Sequence, residues 1–285
     1  MITRVIPRLD VKGPNLVKGV HLEGLRVLGK PELFARHYYE QGADELLFVD
    51  VVASLYGRNS ILDLVERTAN EIFIPLSVGG GLRSLDDIRA VLRAGADKVT
   101  LNTAAVRRPE FISEAARHFG SSTIVISIEA IRRNDGGYEA YTDNGREKTG
   151  LDAVSWAVRA VELGAGELLV TSIDREGTGR GYDLELTARI VRAVPVPVIA
   201  CGGAGSVEHV AQVLETGAAA AALASLLHYN VARRSRAERS EFSPHINLAH
   251  LDQPGFAKVQ DAELPELKAH LAARGMASRP LPAHV

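Results

Sequence analysis

One interval recurs along this chain. Gly42-Ala43-Asp44-Glu45 returns as Gly164-Ala165-Gly166-Glu167, the run PLSVGGG at 75–81 returns as PVIACGG at 197–203, and Gly95-Ala96 returns as Gly217-Ala218, each 122 residues later. Asn102-Thr103 has Ala224-Ser225 as its counterpart at the same spacing. Three separate stretches in one register imply two fused half-domains, because the interval is far too long for a solenoid repeat. Two like halves should bring two like binding sites.

Eight β-rich runs alternate with helical ones, at 3–9, 45–51, 75–78, 98–101, 123–128, 167–173, 197–200 and 219–223. Most are continuously apolar, as expected of parallel strands covered on both faces. The last is alanine-rich, and the repeat supports it. Pro31 and Pro109 sit where helices begin, and Gly42 and Gly120 sit just past their last turns. Ser84 and Ser206 are good N-caps, with Asp87 placed to complete a capping box. Eight alternations predict a (β/α)8 barrel of the TIM type; a doubly wound open sheet has no reason to repeat in this way.

The chain has 285 residues, 46% of them apolar, enough to bury one such core as a single domain over 1–285. Two stretches break the pattern. Residues 11–29 form a long polar, glycine-bearing connection after the first strand, expected to act as a lid and to end at a helix start. Residues 229–261 form an atypical segment before a final amphipathic helix at 264–274. The arginine run Arg233-Arg234-Ser235-Arg236 within it reads as solvated surface or a contact site.

Composition removes several classes of function. A formal charge of −2 implies no strongly basic face, so nucleic acid is not expected as a partner. No apolar run is long enough to span a bilayer, and the first residues lack the apolar core of a signal peptide. A single cysteine, Cys201, fits a reducing compartment, and the expected location is cytoplasmic. The histidines show no ligand spacing for a metal, no dinucleotide fingerprint follows the first strand, and no cofactor is implied.

In a barrel of this kind the C-terminal strand ends carry the active site. Those ends hold Asp10, Asp50, Gly80, Gly81, Asn102, Thr103, Glu129, Asp174, Gly177, Gly202, Gly203, Ala224 and Ser225. Strands one and five lie opposite each other in a ring of eight, so Asp10 and Glu129 should face one another and could divide acid and base roles. Gly79-Gly80-Gly81 and Gly202-Gly203 let backbone N–H groups approach an anion, with Asn102, Thr103 and Ser225 adding donors. The same cradle built twice points to a ligand with a phosphate at each end. At the strand starts, Arg4, Glu45, Lys98 and Glu167 supply two charges of each sign. They form either a salt-bridged plug or a gate for a small neutral molecule. Cys201, with no histidine adjacent, reads as a packing residue.

Val5-Ile6-Pro7-x-Leu9-Asp10-Val11-Lys12, Val17-Lys18-Gly19, Val78-Gly79-Gly80-Gly81, Gly95-Ala96-Asp97-Lys98-Val99, Asn102-Thr103-Ala104-Ala105 and Thr171-Ser172-Ile173-Asp174-Arg175-x-Gly177-Thr178, closed by Gly181-Tyr182-Asp183, are similar to the cyclase subunit of imidazole glycerol phosphate synthase. The resemblance covers residues 2–229 and returns in the last helix. It implies a lyase step of histidine biosynthesis in a glutamine amidotransferase complex. A glutaminase subunit, forming a heterodimer beneath Lys98 and Asp97, makes ammonia that rises through the barrel. The ammonia reacts there with a bisphosphorylated ribulosyl aminoimidazole carboxamide. The resemblance further implies Asp10 and the strand-five acid as the catalytic pair, Lys18 in a mobile first loop holding substrate, substrate contacts at Thr171 and Asn144, and an ammonia gate of Arg4, Glu45, Lys98 and Glu167.

Five positions depart from that pattern. Glu129 stands for an aspartate, Arg8 for a cysteine, where it could bring a positive charge near Asp10, Asn144 and Cys201 for serines, and Glu176 for an aspartate. Scaffold, cradles and gate are kept while the reacting centre changes. Two rival readings therefore stay open: a paralogue delivering ammonia to another acceptor such as a nucleotide sugar, and a non-catalytic barrel that binds phosphorylated metabolites. The sugar-phosphate isomerase of the same pathway shares the duplicated barrel, but the full gate argues against it.

Overall fold

Eight parallel strands pair in a closed ring. They are β1 (Arg4–Lys12), β4 (Leu46–Asp50), β5 (Leu76–Gly79), β6 (Lys98–Leu101), β7 (Ile124–Arg132), β10 (Glu167–Ser172), β11 (Val198–Cys201) and β12 (Ala220–Leu223), which returns to β1. This computed structural model describes residues 2–53, 61–238 and 259–280. Helices cover the outside: α1 (Pro31–Glu40), α2 (Leu62–Ala69), α3 (Leu85–Arg93), α4 (Thr103–Arg107), α5 (Glu110–Phe119), α6 (Ala153–Glu162), α7 (Leu184–Ala193), α8 (Val207–Glu215), α9 (Ser225–Glu238) and α10 (Leu264–Ala273). The (β/α)8 barrel read from the sequence is the observed fold.

The repeat survives in the structure to the residue. Helix α6 begins and ends 122 positions after α1, β11 after β5, α8 after α3 and β12 after β6. Helix ends follow their caps. Ser84 accepts from the Asp87 N–H while Asp87 accepts from the Ser84 N–H, and Ser206 accepts from the His209 N–H. Helix α5 starts one residue after Pro109, which is its N-cap.

Side chains alternate between two cores, as strand geometry requires. Outward residues such as Val5, Leu9, Leu46 and Phe48 pack under the helices. Inward residues Ile6, Leu47, Val125, Leu169, Ile199, Cys201, Ala220 and Ala222 form a separate apolar layer inside the barrel. The weak alanine strand is held because its small side chains sit in that crowded lumen.

Two antiparallel hairpins were absent from the sequence reading, and they shape the mouth. Residues 11–29 are not a structureless connection: β2 (Asn15–Val20) pairs with β1, and β3 (Glu23–Gly29) pairs with β2. Their two-residue turn places His21 and Leu22 at φ 52° and 64°, the left-handed pair that a tight hairpin turn needs. His-Leu gives no turn signal, which is why sequence missed it. The second half repeats the device with β8 (Tyr138–Thr142), paired to β7, and β9 (Glu147–Asp152). Here Asp143-Asn144-Gly145 is a legible signal, with all three residues at positive φ.

The atypical tail also needs correction. Residues 229–238 continue α9, while 239–258 lie outside the described residues. Arg233 and Arg234 pair with Asp261 and Glu263, so this part of the arginine run ties the chain down after the tail. Helix α10 then packs against α8 with Leu264, Leu267 and Leu271 buried.

Candidate active site

At the N-terminal end of the barrel the four predicted charges meet. Arg4 Nη1 donates to Glu45 at 2.8 Å and Nη2 pairs with Glu167, while Lys98 Nζ lies 3.2 Å from Glu45 and 2.8 Å from Glu167. Ser77 adds a hydrogen bond to Glu45 at 2.6 Å. Both carboxylates are buried, and each is held by two cations, which offsets the cost of desolvating it. The floor is fastened from below by a second buried pair, Lys268 Nζ to Asp44 at 2.7 Å, whose other oxygen accepts from the Val5 N–H. Above the ring lies the apolar layer. Asp97 is exposed beside the ring, its carboxylate accepting from the Leu76 N–H at 2.8 Å, and Phe73 nearby is 79% exposed.

At the opposite end, inward alternation along β1 brings Arg4, Ile6, Arg8 and Asp10 to the lumen in succession. Arg8 is buried, its Nε donating to Asp10 at 2.8 Å and its Nη1 lying 3.3 Å from both Thr171 Oγ1 and Cys201 Sγ. Its carbonyl accepts from His228 Nε2 at 2.8 Å; since a carbonyl can only accept, Nδ1 must take the Tyr38 hydroxyl proton, at 2.7 Å. Burial lowers the His228 pKa to about 3, so this imidazole stays neutral. Glu129 sits across the mouth on β7 and accepts from the Gly145 N–H at 2.8 Å. Burial raises its pKa to about 7, against the opposing pull of Arg8 and the Gly145 N–H. A proton donor poised near neutrality results.

The glycine cradles flank this centre unequally. The first opens into a cavity of about 270 Å³ lined by Gly80, Gly81, Asn102, Thr103, Glu129 and Arg8. Gly80 has φ 100°, and a Cβ there would fall 2.3 Å from the Asp50 carbonyl oxygen, so no other residue fits. The second, lined by Gly177, Gly202, Gly203, Ala224, Ser225 and Glu176, encloses only about 10 Å³, room for about one water. The β2–β3 hairpin closes it. Lys18 reaches in to pair with Glu176, both fully buried, the His21 N–H donates to the Glu176 carbonyl, and Gly19 packs against Gly177.

Several predicted residues have other employment. Asp50 lines the open cavity, but Oδ1 caps the N–H groups of Val52 and Ala53. Asn102 donates to the Tyr141 carbonyl, Thr103 accepts from the Asp143 N–H, and Asn144 donates to the Leu22 carbonyl, so all three brace hairpins while lining the cavity. Asp174 is exposed and accepts from the Arg132 N–H at 2.8 Å; it lines neither cavity. The acid its loop sends inward is Glu176. Asp10 does not line the open cavity either and meets Glu129 through Arg8.

The model of the histidine biosynthesis protein family matches residues 4–233. The imidazole glycerol phosphate synthase subunit HisF of Legionella pneumophila is 58% identical over 205 residues, 72% of this chain and 97% of that protein. The HisF of Alkaliphilus metalliredigens is 52% identical over 87% of this chain and 99% of its own length. That of Synechococcus sp. strain CC9311 is 54% identical, over 80% and 89%. The chain belongs to this family. It is a HisF-type enzyme of histidine biosynthesis, as the motifs implied. No helix among its described residues is long and apolar enough to cross a membrane.

Within a HisF-type barrel, sequence reading missed what Arg8 and Glu176 do. Both were noted as departures, and Arg8 was expected to bring its charge near Asp10, as it does, but neither was given its partners at the mouth. Period-two alternation from Arg4 also turns Arg8 into the lumen. Nothing local announces that Glu176 turns inward, because it follows the strand on a turn.

Proposed function

We propose that ammonia enters through the Arg4–Glu45–Lys98–Glu167 ring, rises through the apolar lumen and reacts at the mouth with a substrate phosphorylated at both ends. The substrate is the ribulosyl aminoimidazole carboxamide bisphosphate of the imidazole glycerol phosphate synthase reaction. One observation carries this reading: a closed ion ring, an apolar layer and an acid-bearing mouth stand in line inside one barrel. Neutral ammonia crosses apolar side chains far more cheaply than ammonium, so the lumen selects the nucleophilic form.

At the mouth, one phosphate occupies the Gly80–Gly81 cradle with Thr103, and the other the Gly202–Gly203 cradle with Ala224 and Ser225. Glu129, poised near neutrality, gives and takes the proton that moves in addition and ring closure, and Asp10 is its partner. Lys18 leaves Glu176 for the substrate as the hairpin shifts, which enlarges the second cradle. A glutaminase subunit docks on the lower face around Asp97, where exposed Phe73 offers an apolar anchor. The work is cytoplasmic, where the lone thiol stays reduced.

Purified protein given ammonium salt at alkaline pH should consume the bisphosphate substrate. No turnover above background rejects the reading. A second reading, ammonia delivery to another acceptor such as a nucleotide sugar, is favoured by the small second cradle. Failure to complement a strain lacking the cyclase subunit, with turnover of a nucleotide-sugar acid instead, would establish it.

A further inference from the structure

Arg8 is a permanently charged group at the centre of the mouth, and neither the cradles nor the ring gives it a part. Burying such a cation is costly unless it is held. Asp10 takes Nε, Thr171 and Cys201 take Nη1, and the His228–Tyr38 pair fixes the carbonyl behind it. Nη2 has no acceptor among the described residues, and Arg8 lines the open cavity beside Glu129. A guanidinium anchored on two sides with its third nitrogen facing the cavity is preorganised for an oxygen that gains charge.

Resting on the function proposed above, we infer that Arg8 is a catalytic residue whose Nη2 receives the carbonyl oxygen of the ammonia acceptor and stabilises it as ammonia adds. In that step the ammonia lone pair forms the C–N bond and the carbonyl π pair moves onto oxygen. Arg8, anchored on Asp10, holds that oxygen, Glu129 supplies its proton, and the nitrogen then returns one proton to the Glu129 carboxylate. The product is a neutral carbinolamine, and the proton Glu129 gives to oxygen equals the one it takes back from nitrogen. Arg8 therefore also selects the acceptor: a ketone or amide carbon whose oxygen reaches the centre of the mouth.

Arg8→Lys and Arg8→Gln test this in ammonium-driven turnover, with the wild type alongside. Removing a single preorganised donor to an oxyanion lowers kcat by roughly 100- to 1,000-fold. Arg8→Lys keeps the charge on Asp10 but has no fork to serve two partners, so kcat should fall at least about 10-fold with KM for ammonia little changed. Its pH limb should stay near 7, whereas in Arg8→Gln the limb should move up, because the charge opposing protonation of Glu129 is gone. Should Arg8→Gln not fold, Arg8→Lys decides alone through kcat. Wild-type turnover with Arg8→Lys equal to it overturns the assignment and leaves the function standing. No wild-type turnover overturns the function, and the assignment with it.

Discussion

The two cradles descend from one sequence unit yet meet the solvent differently. Around Gly80 the cavity holds about 270 Å³, and around Gly203 about 10 Å³. Their backbones are not the cause: Gly80, Gly81, Gly202 and Gly203 all have φ between 71° and 110°. What differs is the hairpin that leans over each. On the open side β8–β9 braces itself with Asn102, Thr103 and the ion pair of exposed Arg107 with buried Asp143. On the closed side β2–β3 drives Lys18 into the pocket against Glu176. Duplication thus conserves the seat, while the hairpin carried by each half sets access to the other half's seat.

The comparison breaks most visibly at the groups both seats share. Asp10→Asn and Glu129→Gln should each lower ammonium-driven kcat by about 100- to 10,000-fold, in steady-state assays at fixed substrate. A loss in only one of them would mean that the reacting centre belongs to one half. Next in size is the closure itself. Lys18→Met leaves a buried carboxylate without its cation and should cost about 3–5 kcal/mol in urea unfolding. Glu129→Gln carries a stability signature as well. The native state raises this carboxyl from 4.5 to about 7, so the fold holds its proton more tightly than the unfolded chain does. Its contribution is full below pH 4.5 and is lost as pH rises through 7. Relative to wild type, the variant should gain up to about 3 kcal/mol above pH 7 and nothing below pH 4.5, read from paired melts across that range. The smallest effect belongs to the open side. Arg107 is 69% exposed in its pair with Asp143, and Arg107→Ala should cost under about 1 kcal/mol. Equal costs for Lys18→Met and Arg107→Ala would erase the distinction between the two sides.

Much of this architecture was legible because the signals were strong and local. Apolar runs marked the barrel strands, Ser84 and Ser206 marked helix starts, and the repeat rescued the alanine strand. The floor was legible too, since charges at inward strand starts have few places to go. The mouth was read less well, for physical reasons. His21-Leu22 makes a left-handed turn that its residue types do not advertise. Asp174 lies at a strand end, as a substrate ligand would, but the nearer N–H of Arg132 claims it. Arg8 was visible as an anomaly, and its position two residues before Asp10 was enough to bring its charge near that carboxylate. Its grip on Asp10, however, depends on Thr171 and Cys201, more than 160 residues away along the chain.

A structure of the chain with the bisphosphorylated substrate bound, without ammonia, addresses the heart of this account. It should show one phosphate on Gly80–Gly81 and the other on Gly202–Gly203, with Lys18 moved from Glu176 onto the ligand. Both phosphates crowded into the open cavity, with Lys18 still paired to Glu176, would contradict it.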